Sequence, residues 1–380
     1  MRKTFISLLA AVAAAAMCFC FPAGAQDKAP GDLLDRSAFE TEMDGKPVSL
    51  YTITNGRITA QITNFGGYIV GIYTPDKDGV YTNVVGHNDN IQQYRTFSRN
   101  PVGAALGRYA NRIGHATFTL DGVNYEVTKN NGEHSLHGGA HGFDHTVWDV
   151  VELTGNTLVL RCTLEDGLDG FPGTLTTFLT FSVTDDDGLS IDYRASTDKP
   201  TVCNLSHHAY FNLNGFPAEN VLDHVFQIDA DYITETDKTL IPTGNLLPVS
   251  GTLYDFRTPV KLGDRQAALP AGRGAFGPGA QPPAIPEGMV RSYDQNFCLN
   301  HTEPGRVELV ASVYSPASGR VMEVLSDQPG LQFFSGSRTA FALESQLYPD
   351  TLNHPEFPGN PVLRPGETYH HTVIYRFSTR

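Results

Sequence analysis

The stretch LVLRCTLEDGLDGFPGTLTTFLTFSVTDDDGLSIDYRAS, residues 158–196, decides the fold class. Three runs inside it, LVLRCTL, TTFLTFSV and LSIDYRAS, alternate apolar and polar residues with the period of two that gives a strand one buried face. Asp185-Asp186-Asp187-Gly188 supplies turn chemistry between the last two runs, and Thr154-Gly155-Asn156 supplies it just before the first. Short alternating runs joined by tight turns predict antiparallel strands.

The same style extends outward in both directions. SLYTIT, RITAQIT and GYIVGIYT lie upstream, and RVELVASVYS, RVMEVLS, LQFFSG, TAFALES and YHHTVIYRFST lie downstream. FTLDGVNYEV, residues 118–127, predicts a hairpin in which Asp121-Gly122 takes the two positive-φ positions of a type I′ turn. No long 3.6-residue period and no repeat of fixed length is present. With Gly 37, Pro 24, Tyr 16 and Phe 22 but only 18% charged residues, the composition is that of an all-β chain. We read residues 46–380 as a single large antiparallel β-sandwich, with a core big enough to fold without disulfides. Residues 272–288 hold five Gly and four Pro; because strand-like sequence resumes afterwards, this is a long surface loop within the domain.

The first residues belong to another class. Arg2 and Lys3 precede a mostly apolar run, residues 6–21, followed by Ala23-Gly24-Ala25. This predicts a secretory signal peptide, 1–25, cut after Ala25, and a periplasmic or secreted protein. The run is too short to span a membrane and no second one follows, so no stable membrane insertion is expected. Residues 26–45 read as a flexible polar tail. Cys18 and Cys20 leave with the leader, while Cys162, Cys203 and Cys298 form no CxxC pair and read as buried apolar fillers. Lys+Arg 27 against Asp+Glu 41 gives a net charge of -14 with no basic run, which excludes a nucleic-acid partner.

Four clusters carry candidate chemistry: Asn111-Arg112, Glu133 to Gly139 with His134 and His137, Asn204 to Asn212 with the tandem His207-His208, and Glu344 in TAFALESQ. Each also has a plain structural reading. Glu344 shares a strand face with Ala340, Ala342 and Gln346, a face that by pattern points to solvent. Adjacent His207 and His208 must face opposite sides of an extended chain, and strand histidines are commonly structural. His134, His137, His141 and His145 invite a metal, but Gly138 and Gly139 preclude the helix that would align His137 with His141, and no H-E-x-x-H is present. Asn204-Leu205-Ser206 and Asn300-His301-Thr302 fit the short glycosylation sequon. Together, a carboxylate, histidines and an Arg/Asn pair suit acid/base work on a hydroxylated ligand, with Tyr210 or Phe334 available to stack on a sugar face.

These clusters, in this order, resemble the aldose 1-epimerase family. The resemblance is carried by GRYANRIGHATFTLDGVNYEV, HSLHGG followed by GFDHTVWDV, HHAYFNLNG, TGNLLPVSGTLYDFRTPV, YDQNFCL, SGRVMEVLSDQPGLQFFSG and FALESQLYPDTLNHPEFPGNPVLRPGETYHHTVIYRF, from about Ser49 to the C-terminus. It implies a large sandwich with an open sugar cleft, Glu344 as catalytic base and His208 as acid. It also implies sugar binding by His137, Asn111, Arg112, Asp255 in YDF and Gln332. The reaction implied is the exchange of α and β anomers of free hexoses such as galactose and glucose: the base takes the O1 proton, the acid protonates the ring oxygen, and the opened aldehyde recloses on its other face. It needs no cofactor and no metal. Two departures stand out: His207, where the family often has Asn, and the long 272–288 loop. Alternatives are a sugar-binding module without catalysis, an epimerase of another sugar, and a glycosidase, which would need a second carboxylate at the bond.

Overall fold

A computed structural model describes residues 33–96, 103–217, 219–269, 292–336 and 339–380. Residues 1–25, read above as a signal peptide, and the 272–288 run lie outside these residues. The three strands read first are Thr157–Leu164, Leu175–Val183 and Gly188–Thr197. They pair antiparallel in register, Leu160 opposite Leu179 and Phe181 opposite Ile191. Leu175, Leu179, Phe181 and Val183 point inward and are fully buried; each such side chain contributes about 1.5–3 kcal/mol by leaving water. Six further strands complete a nine-stranded antiparallel sheet: Asp149–Leu153 at one edge, then beyond Gly188–Thr197 the strands Tyr369–Thr379, Arg320–Ser326, Glu308–Tyr314, Val225–Ile228 and Val260–Lys261. The expected hairpin is Thr117–Leu120 with Val123–Glu126, and Asp121 and Gly122 both take positive φ, 50° and 78°.

A four-stranded sheet runs Leu50–Thr54, Thr59–Thr63, Ile69–Pro75, Tyr81–Asn83. A five-stranded sheet runs Pro242–Pro248, Ala230–Thr236, Asp294–Leu299, Gly330–Phe334, Ala342–Gln346. All three sheets feed one contiguous core, in which Ile62, Leu179, Phe226, Phe333 and Tyr375 are buried together. Among the described residues helix is confined to short pieces such as Ile91–Thr96 and Leu262–Gln266, and none is long and apolar enough to cross a membrane.

The polar segment before residue 46 is more ordered than its composition suggests. Asp35 caps a 3-10 turn, Arg36–Phe39, through the Ser37 N–H at 2.9 Å, and Phe39 packs on Tyr94 with ring centres 6.1 Å apart. Thr41–Met43 and Lys46–Val48 then form a hairpin. From residue 33 on, the expected tail is therefore part of the fold; its apolar anchors, Leu34, Ala38, Phe39 and Met43, are too irregularly spaced to register as periodicity. Cys162, Cys203 and Cys298 are buried and unpaired.

Candidate active site

The strand Ala342–Gln346 lies at one edge of the five-stranded sheet, and its register with Gly330–Phe334 sets Glu344 beside Gln332 and Ala342 beside Phe334. Asp294–Leu299 pairs on the other side of Gly330–Phe334, with Asn296 opposite Gln332. The period of two then puts Asp294, Asn296, Gln332, Glu344 and Gln346 on one face and Phe297, Leu331, Phe333 and Leu343 on the other. The second face is core. The polar face does not reach solvent: Glu344 is 2% exposed, so the solvent-facing reading of TAFALESQ fails.

Beside the edge of that sheet runs the segment around Ser206–His207, which also pairs with Ala105–Leu106. The two histidines face opposite ways, as alternation requires. His207 enters the core, where its Nε2 meets the Gly67 carbonyl at 3.2 Å and Phe181 packs edge-on. His208 turns toward Glu344, with Nε2 3.5 Å from Oε1. Tyr210 stacks on His208 with ring centres 4.6 Å apart, and the edge of Phe334 meets Tyr210 at 6.0 Å. Tyr210 is thus a buried platform for the His208 ring.

A short ribbon supplies the third side. Arg112–Ile113 pairs with Ser135–Leu136, which brings Asn111 and His137 together. Both hold left-handed φ, 60° and 55°, and they lock each other: the His137 N–H donates to the Asn111 carbonyl at 3.0 Å, and the Asn111 N–H donates to His137 Nδ1 at 3.2 Å. The second bond fixes the tautomer, because an Nδ1 that accepts leaves the proton of the neutral ring on Nε2. Nδ1–Nε2 roles matter here, since ligand atoms of His137, His208 and Glu344 fall within 4.8 Å of one another. A ring carrying its proton on Nε2 donates to an oxygen and is a poor metal ligand. The wider histidine cluster diverges: His134 Nδ1 accepts from the His115 N–H, His141 sits by Asp169 and His145 by Asp144.

Arg112 reaches Asn111 Oδ1 at 3.4 Å and Asp294 Oδ2 at 3.8 Å, and Gln332 Nε2 donates to Asp294 Oδ1 at 2.8 Å. Several buried polar atoms remain without protein partners, among them Glu344 Oε2, His208 Nδ1, Gln332 Oε1 and Arg112 Nε. Such atoms are costly to bury unless a ligand or water meets them. His137 also lines an open groove of about 810 Å³ with Lys129, Asn130, Leu136 and Ala140. A second groove, about 710 Å³ between Tyr348, Tyr369 and Asp327, includes none of the cluster.

Burial acts on both members of the central pair. It pushes Glu344 well above the usual carboxylate range, with the Asp294 charge adding and Arg112 opposing. It pushes His208 down to about 4. Both shifts favour neutral forms, a carboxylic acid facing an uncharged imidazole. One proton is then held by the pair, and one hop converts it to carboxylate and imidazolium.

The sequence matches the family model described as aldose 1-epimerase over residues 49–376. The chain belongs to the aldose 1-epimerase family. It is 35% identical to a galactose mutarotase of Sus scrofa over 349 residues, 87% of this chain and 94% of that one. It is 32% identical to an aldose 1-epimerase of Escherichia coli over 351 residues, 88% and 96% of the two chains. Among solved structures it is similar to a GalM/aldose epimerase homologue from C. elegans, with TM-score 0.76, 28% identity, and 87% and 99% coverage. A galactose 1-epimerase from Lactobacillus acidophilus shares the fold, with TM-score 0.72 over 90% and 97% of the two chains at 22% identity.

Within this epimerase fold, Glu344, His208, His137, Asn111, Arg112 and Gln332 converge. Asp255 does not. Its carboxylate is clamped by Arg257 through two bonds of 2.9 Å, which hold it down to about 2, and the same guanidinium reaches Asp231 at 3.0 Å. The carboxylate that the site does contain is Asp294 of YDQNF, missed in the sequence. The signal was available: in DQNF, Asp294 and Asn296 alternate with core residues as Gln332 does in GLQFF.

Proposed function

We propose that the protein interconverts the α and β anomers of free aldoses, galactose and glucose among them. The observation that carries this is the His208–Glu344 pair, two buried groups 3.5 Å apart that share one proton beside unpartnered hydrogen-bonding atoms. In the ionised form of the pair, Glu344 takes the proton from O1 while His208 delivers one to the ring oxygen, so the ring opens to the aldehyde. Rotation about C1–C2 and reversal of both transfers yields the other anomer and restores the pair. Arg112 and the Nε2–H of His137 are donors suited to the oxygen on which charge develops. Gln332, Asn111 and Asp294 hold hydroxyls, and no covalent intermediate is required.

Asp294 is a second carboxylate near the reacting pair, so a glycosidase must be set against this reading. Both Asp294 oxygens are already engaged, by Gln332 and by Arg112, which suits a holding role. Polarimetry of freshly dissolved single-anomer sugars tests the proposal: equilibration above the spontaneous rate is expected, and a methyl galactoside, having no O1 proton, should bind without release of methanol. Methanol release with turnover would overturn the epimerase reading.

Export rests on the charge and apolarity of residues 1–25. Under this reading the protein recovered from the periplasm or medium begins at Gln26; an intact Met1 terminus on active protein would overturn it.

A further inference from the structure

Because Ala342–Gln346 is an edge strand, alternate backbone groups on its outer side have no ladder partner. The segment carrying His208 supplies partners in order. The Leu347 N–H donates to Asn204 Oδ1 at 3.0 Å, and Ser206 Oγ donates to the Ser345 carbonyl at 2.8 Å. At the far end Phe211 and Phe341 exchange two backbone bonds, 2.6 and 3.0 Å. Each step down one chain is a step up the other, so residues 204–211 run antiparallel beside residues 341–347, side-chain rungs standing in for backbone bonds. In the register of the Phe211–Phe341 pair, His208 falls opposite Glu344.

The rung nearest the pair is braced from behind. Ser345 Oγ contacts Ser326 Oγ and donates to His371 Nε2 at 3.0 Å, while His371 Nδ1 donates to the Leu205 carbonyl at 3.0 Å. Tyr193 OH donates to the Ser206 carbonyl at 2.6 Å, and Tyr375 OH donates to the Leu343 carbonyl at 2.9 Å. Ser206, Ser326 and His371 are fully buried, and Ser345 is 1% exposed. Asn204 is fully buried too, and its Nδ2 donates to the Ala110 carbonyl at 3.2 Å, so the sequon at 204–206 serves this seam and is no surface acceptor.

We infer that Ser206 is a positioning residue, whose hydroxyl bond to the Ser345 carbonyl sets the spacing and alignment of His208 against Glu344. It touches neither the sugar nor the proton. This inference rests on the acid/base reading of that pair. Proton transfer is steep in distance, and a misplacement near 1 Å costs on the order of 10²-fold, so loss of the rung acts on turnover. Sugar binding, held by Gln332, Asp294 and the Asn111–His137 ribbon, is untouched.

The test uses the full-length protein with Ser206→Ala, Ser206→Cys and Ser206→Thr. Cysteine keeps the volume and weakens the donor, so it carries the test should alanine fail to fold; threonine keeps the hydroxyl. The expected result is a fall in kcat of roughly 10- to 100-fold for alanine and less for cysteine. KM and the inhibition constant of methyl galactoside should stay within about two-fold, and threonine should restore turnover. A folded Ser206→Cys with unchanged kcat would overturn the inference, as would equal losses in turnover and inhibitor binding that threonine does not rescue. Failure of the wild-type protein to interconvert anomers sinks the reading of the pair itself; normal turnover in Ser206 variants of an active protein sinks only the seam.

Discussion

The nine-stranded and five-stranded sheets use the same alternation for opposite ends. In Leu175–Val183 every second residue is buried and the others are at least partly open to water. In Asp294–Leu299 and Ala342–Gln346 every residue is buried, one face in the hydrophobic core and the other presenting Asp294 to Arg112 and Glu344 to His208. A polar residue on the outer face of Leu175–Val183 meets solvent. On the other two strands it is a group held out of water, and Glu344 and His208 are shifted accordingly. Pattern gives the strand; only what meets its polar face says what that face is for.

The largest effect that this contrast predicts falls on the pair. Glu344→Gln and His208→Asn should each lower kcat by about 10²- to 10⁴-fold with the fold intact, measured by polarimetry and circular dichroism. Near-normal turnover in either would remove the distinction between the sheets.

Next comes the choice of carboxylate. Asp294→Asn should cost about 10- to 100-fold in kcat/KM, the scale of a buried charge-assisted hydrogen bond. Asp255→Asn, whose partner is Arg257, should leave kinetics nearly unchanged. The opposite ranking would restore the family-based placement of Asp255.

The sequence carried the strands well because alternation and turn chemistry are local: the Asp121-Gly122 hairpin and the run at Tyr369–Thr379 stand where they were expected. Resemblance placed most of the site. It failed at Asp255 because YDF and YDQNF offer the same local pattern, and only pairing across Gly330–Phe334 separates them. It also could not show that Tyr210 lies under His208, or that a polar face is covered, since both depend on contacts between residues far apart in the chain.

The pH dependence sharpens the comparison further. The single-proton form of the pair exists between two limits. Below about 4, His208 takes a second proton, and above the raised value of Glu344 the pair loses its last one. The profile of kcat/KM should therefore be bell-shaped with the acid limb belonging to histidine and the alkaline limb to the carboxyl group, the reverse of their ordinary order. Glu344→Gln should erase the alkaline limb in its residual activity; an alkaline limb that persists unchanged would contradict the assignment.

The smallest effects lie on the other side of the same strands. His207 is buried in the core and held down to about 3 by that burial, so it is neutral in the folded protein. Its contribution to stability declines as pH falls from its ordinary 6.5 toward about 3, because the unfolded chain takes the proton first. His207→Asn should keep kcat within a few-fold, cost about 1–3 kcal/mol, and flatten that part of the pH–stability curve. Phe178→Thr, on the outer face of the large sheet, should shift stability by only about 0.5 kcal/mol. Thermal melts across pH compare the two.

The central claim is that Glu344 and His208 act as one proton-sharing unit, and the double variant Glu344→Gln/His208→Asn tests it most directly. With polarimetric kcat for wild type, both single variants and the double variant, the account predicts a double loss no greater than that of the more damaged single variant, because removing either partner already disables the pair. Losses that multiply across the two sites would contradict it.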